Sequence, residues 1–222
     1  MSAEVFIALL LWGIIAGLDL VSVLQSMVGR PLVAATVAGA LAGDPANGVL
    51  IGMALELFAL EFLPVGGARY PDYGPASVAA AAAAVGMPLG QLGVPLVLGL
   101  VLAYGGDWSL VGLRRWNTWR VRRAARGLDA GDLHTISRIQ LGGILWDALR
   151  SLALTGAGLG LAWAARTAPP LDDRRGLLLT AVLIGIGLAN AAQNALRLAD
   201  PRRAGWWLAL GLAGGTAWVV LR

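Results

Sequence analysis

Apolar residues in this 222-residue chain are gathered into blocks long enough to cross a lipid bilayer, which leaves few choices of fold. A crossing takes about 20 residues of helix. The blocks fall at 3–27, 48–63, 88–113, 139–165, 176–196 and 204–221, with polar residues gathered between them instead of alternating at helix or strand period. Hydrocarbon offers a backbone amide no partner outside a helix or a closed barrel, and alternating segments of ~10 residues do not occur in the sequence. With 58% hydrophobic and 14% charged residues, the chain is predicted to be an all-α, polytopic integral membrane helix bundle with about six spanning helices.

Two further apolar stretches, 32–42 and 76–87, hold 11 and 12 residues and are too short to span. Both are rich in Ala and Gly and are fenced by Pro31, Asp44-Pro45, Pro75 and Pro88. They read as re-entrant or broken helical segments, a pattern associated with transport pathways; the alternative is an ordinary short helix in a tight bundle. The abundant glycines, 31 in all, are expected mainly to let helices approach closely, Gly156, Gly158 and Gly160 among them.

The basic residues set the expected orientation. All 17 are Arg, and Arg114, Arg115, Arg120, Arg122, Arg123 and Arg126 crowd together with no acidic residue among them. The positive-inside rule puts this loop, 114–138, in the cytoplasm, with Trp108, Trp116 and Trp119 as an interfacial belt. Counting back puts the N-terminus outside, Arg30 inside as a cytoplasmic-side marker, and Arg197, Arg202 and Arg203 inside. Arg166, Arg174 and Arg175 then lie outside, partly offset by Asp172 and Asp173. Trp12 and Trp206-Trp207 read as interfacial anchors. The chain divides accordingly into an N-terminal membrane half, 1–113, a basic cytoplasmic loop, 114–138, and a C-terminal membrane half, 139–222.

Several function classes find no support. There is no cysteine, hence no disulfide framework or thiolate chemistry. No signal peptide is expected, because Glu4 precedes the first apolar run and no small-residue cleavage site follows it. The net charge of +4 is a topology mark and does not imply nucleic acid. His134 is the only histidine, lies in the polar loop and is read as solvated; neither a cofactor nor a metal is called for.

Chemistry is concentrated in 16–82, where Asp19, Gln25, Arg30, Asp44, Glu56, Glu61 and Asp72 interrupt oily surroundings. A carboxylate at mid-helix costs about 2.5–3.5 kcal/mol on insertion scales, which makes Glu56 a functional candidate. Glu61 follows five residues later, about 140° away around a helix, so the two do not form one acid/base pair. Glu61 is expected at the interface or paired with Arg69. The Pro- and Gly-rich run from Pro64 through Gly66 and Gly67 to Asp72 exposes backbone groups beside the second short segment. Carboxylates, Gln25 and free backbone groups suit a polyol, whose hydroxyls both donate and accept; a cation site is the competing reading. Asp44 is expected to cap the helix after it. Asp147 and Arg150, three apart, are expected to pair within the membrane as a structural element.

The ordered block Gly17-Leu18-Asp19, Gln25, Arg30-Pro31, Gly43-Asp44-Pro45, Gly48 with Gly52, Leu55-Glu56, Pro64-Val65-Gly66 and Pro71-Asp72 resembles the N-terminal half of IIC permease subunits of the mannose/fructose/sorbose branch of the bacterial sugar phosphotransferase system. The second half matches more vaguely, and the chain is shorter than is usual for that family.

The resemblance implies a multi-pass protein of the bacterial cytoplasmic (inner) membrane that binds a hexose-type sugar and hands it inward. It implies a non-enzymatic, non-phosphorylated subunit working with a IID membrane subunit and cytoplasmic IIA and IIB phosphocarriers, and an oligomeric assembly in the lipid bilayer. By the same analogy Gln25, Glu56 and Asp72 contact sugar hydroxyls, with Gly66 and Gly67 in the adjoining loop and Asp19 in a supporting role. Two alternatives are a small ion- or proton-coupled transporter using Glu56 and a degenerate permease with a regulatory role. An intramembrane enzyme with paired acids is disfavoured by the separation of Glu56 and Glu61.

Overall fold

The computed structural model describes residues 1–23, 25–62, 68–167 and 171–198, together with 206, 210 and 213. The described residues are helical: α1 (Ala3–Leu18), α2 (Pro31–Leu41), α3 (Pro45–Ala59), α4 (Tyr73–Ala84), α5 (Gly93–Arg123), α6 (Ala125–Asp129), α7 (Leu133–Thr167) and α8 (Asp173–Leu198), with one 3₁₀ turn at Leu89–Gln91. Three stretches are long and apolar enough to cross a membrane: Leu89–Arg123, Leu133–Thr167 and Asp173–Gln193. α1, α2 and α3 are apolar but shorter. The expected span 204–221 lies almost wholly outside the described residues, as does Trp207.

The expected first span, 3–27, stops at Leu18 because Asp19 turns the chain. Its carboxylate accepts hydrogen bonds from the amides of Ser26 (2.7 Å) and Gly29 (3.0 Å) and from the Ser26 hydroxyl (2.9 Å), drawing 25–30 back against the end of α1. Gln25 and Met27 in that connection adopt φ of +51° and +67°. Local hydrogen bonding has won over a continuous apolar run, which is how a short polar side chain competes with helix.

α2 and α3 form a tight hairpin. A Cβ on Gly39 would lie 2.6 Å from the Gly48 Cα, so only glycines allow the two backbones to meet there. Asp44 caps α3 as expected, accepting from the Asn47 amide at 3.1 Å. It also accepts from the Gly86 amide at 2.8 Å, while the Asn47 side-chain amide donates to the carbonyls of Ala84 and Met87. The α2–α3 turn is thereby stapled to the end of α4.

α4, the second short segment, is the centre of the molecule: all twelve of its residues are buried. Its sequence, YGPASVAAAAAA, explains this, because small side chains let α1, α2, α3, α5 and α7 close around it. α1 runs antiparallel along α7, with Gly13 against Thr155 and Gly17 against Ser151.

The basic stretch expected as a loop is largely helical. α5 continues through Arg114–Arg123, and His134 is the second residue of α7 rather than a loop residue. With 31 residues, α5 is about 46 Å long and outruns a hydrocarbon core of about 30 Å. Trp116 stacks on Trp119 (centroids 4.8 Å apart) and meets Trp146 edge-on at 5.8 Å, an aromatic cluster at the base of this hairpin. The opposite end of the bundle gathers Asp44, Gly86, Gln91, Arg166 and Leu171: Arg166 donates to the Val85 carbonyl at 2.8 Å and Gln91 to that of Leu171 at 3.1 Å.

Candidate functional site

Two guanidinium–carboxylate pairs lie where the short helices begin. At the start of α2, Arg30 donates through Nε to Glu56 Oε1 at 2.7 Å and through Nη2 to the same oxygen. The second Glu56 oxygen accepts from the Leu32 amide at 3.2 Å. Pro31 occupies the first helical position, and Arg30 makes no side-chain cap, so Glu56 from α3 satisfies an open amide of α2. Glu56 therefore neutralises a cation and terminates a helix, and Arg30, expected as a cytoplasmic marker, is half of this pair.

At the start of α4 the second pair is more deeply buried. Asp72 has 0% exposure; its amide donates to the Ala103 carbonyl at 2.9 Å and its Oδ2 accepts from Arg150 Nη1. The close approach of this strand-like segment to α5 needs Gly106, where a Cβ would stand 2.6 Å from Asp72 Cβ. Arg150 also donates through Nε to Asp147 Oδ1 at 2.8 Å, and its other nitrogens reach the hydroxyls of Ser109 and Ser151, each at 3.2 Å. Ser22, in the α1–α2 connection, donates to Asp147 Oδ2. The expected Asp147–Arg150 pair is present, and it is one part of a network joining the 19–30 connection, α4, α5 and α7. Asp72 Oδ1, Tyr73 Oη and Ser77 Oγ are buried without a well-aligned hydrogen bond, although the Gly74 amide lies by the Asp72 carboxyl and the Tyr104 hydroxyl by that of Tyr73, which leaves Ser77 Oγ as the polar atom here with no neighbouring partner among the described residues.

Beside Arg30, and next in sequence to Asp72 on both sides, lies a cavity of ≈ 50 Å³ lined by Gly29, Arg30, Pro31, Tyr70, Pro71 and Tyr73, among others. A water molecule takes ≈ 30 Å³ of liquid volume, so a sugar does not fit in this conformation. Glu56 also borders a second cavity of ≈ 420 Å³, apolar except for Glu56 and Thr180, walled by α2, α3, α8 and the start of α5.

The other candidates sort as follows. Asp19 holds the turn and contacts neither pair directly. Gln25 is exposed on the 19–30 connection. Gly66 and Gly67 lie outside the described residues. The pairing of Glu61 with Arg69, one of the two readings offered for Glu61, does not form: Arg69 pairs with Asp107, at 3.0 Å from Nε and 2.6 Å from Nη2, and stacks over Trp108. Glu61 is exposed. Sequence reasoning missed Arg150 as the partner of Asp72, and missed Ser22, Ser109 and Ser151; the only signal was a lone Arg in mid-helix with an Asp three residues before it. Among the described residues no group of three or more His, Cys, Asp or Glu is placed to hold a metal ion.

A helical bundle with span-length apolar helices and charged pairs at the ends of buried short helices defines a multi-pass membrane protein. The family model for the "PTS system sorbose-specific IIC component" matches residues 5–164, and the chain belongs to that family. The fructose permease IIC component of Bacillus subtilis is 31% identical over 156 residues, 70% of this chain and 57% of the relative. The mannose-specific EIIC component of Escherichia coli K12 is 30% identical over 121 residues, 54% of this chain and 45% of the relative. The matches thus span about half the length of these relatives. Among solved structures, the mannose transporter ManYZ with a microcin has the same fold, with a TM-score of 0.62 at 22% identity over 100% of this chain and 95% of the other.

Proposed function

We propose that the chain is a sugar-translocating IIC subunit, which binds a hexose-type sugar and passes it to the cytoplasm for phosphorylation by partner proteins. Family membership supports the class, and the geometry that carries the reading is a small cavity at the starts of α2 and α4, lined by Arg30 of the Arg30–Glu56 pair and by Pro71 and Tyr73, the chain neighbours of Asp72 in the Arg150–Asp72 pair. Sugar hydroxyls can bridge guanidinium and carboxylate groups at once, and the weakly engaged Asp72 Oδ1, Tyr73 Oη and Ser77 Oγ offer more partners. Because the cavity is too small for a sugar, binding requires α2 or α4 to move against the rest, in keeping with transporters that rock one unit against another.

The reading carries with it the division into halves 1–113 and 139–222 with the basic stretch 114–138 facing the cytoplasm, an oligomer in the inner membrane, a IID membrane subunit, and IIA and IIB phosphocarriers that perform the phosphoryl chemistry. A proton-coupled mechanism through Glu56 is less well supported, since that carboxylate is already held by Arg30 and the Leu32 amide.

The test is a sugar-binding isotherm on purified protein using mannose, fructose and sorbose. Glu56→Gln is expected to weaken binding of the preferred sugar at least tenfold while Glu61→Gln leaves it nearly unchanged. Equal and small effects would overturn the assignment.

A further inference from the structure

We propose that the cytoplasmic hairpin carries a binding site for a phosphate-bearing anion, built by Arg120 and Arg123 from α5 and Arg138 from α7. The three arginines, with Trp119, Gly127 and Thr135, line a cavity of ≈ 320 Å³ in the angle between α5, α6 and α7. Among the described residues none of the three has a carboxylate within ion-pair distance, whereas Arg30, Arg69, Arg150 and Arg175 each do.

Arg120 and Arg123 are positioned by their present contacts, and none of the three is engaged in an ion pair among the described residues, although Asp132 feels the charge of Arg138. Arg120 donates through Nη2 to the Arg138 carbonyl at 3.0 Å, tying the two walls together. Arg123 lies over the Trp119 ring at 4.7 Å, which orients its planar fork. A carboxylate of the same hairpin, Asp132, is taken up by the first turn of α7, where it accepts from the His134 and Thr135 amides and the Thr135 hydroxyl. Guanidinium forks match phosphate oxygens in a bidentate manner, so three of them converging on one cavity favour phosphate over a simple halide.

Depth along the bundle narrows the source. Arg120 lies about 40 Å along α5 from Gly93 at the opposite end, and the hydrocarbon core is about 30 Å thick, so the site falls at headgroup level just past the Trp116–Trp119–Trp146 cluster. Basic pockets between helices on the cytoplasmic side suit anionic lipid headgroups. A free phosphoester from the cytoplasm presents the same chemistry.

The experiment follows the thermal unfolding midpoint of the full-length protein in detergent. One arm titrates mixed micelles of cardiolipin against phosphatidylcholine; the other titrates inorganic phosphate and glucose 6-phosphate against chloride at fixed ionic strength. A saturable rise is expected with at least one phosphate-bearing anion, with half-saturation about tenfold weaker in Arg138→Gln and in Arg123→Gln. Arg174→Gln, at the other end of the bundle, is expected to behave as wild type. A response to cardiolipin alone assigns a lipid headgroup; a response to the soluble ions assigns a free phosphoester. Should Arg138→Gln not fold, Arg123→Gln decides, since its side chain only stacks on Trp119. No response to any of the phosphate-bearing anions, or equal responses in wild type and the folded variants, would overturn the proposal.

Discussion

Arg150 reaches from α7 to Asp72 at the start of α4 while also holding Asp147 on its own helix, so one guanidinium serves two carboxylates that are each 0% exposed. This asymmetry makes the partners unequal. Removing the cation leaves two buried charges without compensation, whereas removing Asp72 leaves a balanced Arg150–Asp147 pair. Arg150→Met is therefore expected to cost about 3–5 kcal/mol, the usual penalty for breaking a buried pair. Asp72→Asn should cost clearly less. Unfolding of the purified variants in denaturant measures both, and an equal loss for the two would contradict the network as described.

Glu56 has two separable roles, and graded substitutions distinguish them. Glu56→Gln loses the ionic attraction of Arg30 but keeps an oxygen for the Leu32 amide; Glu56→Ala loses both. The Ala variant is expected to be less stable than the Gln variant by about 1 kcal/mol, the typical worth of a helix cap. Amide hydrogen exchange at Leu32 should rise in the Ala variant and remain near wild type in the Gln variant.

Local grammar made the starts of the short helices legible in the sequence. Asp44 followed by Pro45 announced a cap, Pro31 fenced the first short segment, and the Ala-rich 76–87 announced a piece too short to span. The Asp147–Arg150 pair was likewise readable from helical spacing. What could not be read were contacts across long separations: Arg150 to Asp72 spans 78 residues and Arg30 to Glu56 spans 26. No periodicity relates such positions, and only the closure of five helices around α4 brings them together. The end of α1 was missed for a different reason, since 19–27 is apolar enough to continue the helix and only the hydrogen bonds to Asp19 turn it. Of the two readings for Glu61, interfacial or paired with Arg69, the pairing does not form, because Asp107 is nearer to Arg69 in the fold.

Asp132 offers a pH-dependent readout at the hairpin, outside the membrane. The Thr135 hydroxyl, and after it the His134 amide, hold its carboxyl below the ordinary value. A carboxyl depressed in the folded state contributes stability above its unfolded value of about 3.9, and that contribution is lost as pH falls through the folded value. Protection of the His134 and Thr135 amides in hydrogen exchange, corrected for intrinsic rates, is expected to hold above pH ~4 and to decline below it. In Asp132→Ala the protection should be low at every pH; a wild-type profile in that variant would show that the carboxylate does not cap α7.

Gly106 tests whether Asp72 must approach α5 as closely as it does. A Cβ there would stand 2.6 Å from Asp72 Cβ and 2.9 Å from Leu154 Cδ2, both inside van der Waals contact. Gly105, its neighbour on the exposed side, has nothing within 4 Å of the same added atom. Gly105→Ala is expected to be neutral or to stabilise by about 0.5–1 kcal/mol, because alanine orders a helix better than glycine. Gly106→Ala carries the same intrinsic gain but must push Asp72 away from Arg150, and overpacking of this kind costs about 1–3 kcal/mol. The pair thus separates helix propensity, common to both sites, from the close approach that only one of them needs. Loss of stability and of sugar binding in Gly106→Ala with neither lost in Gly105→Ala is the expected outcome of unfolding and binding measurements on the two variants. Matching behaviour would mean that α4 can shift away from α5 without disturbing the Asp72–Arg150 pair.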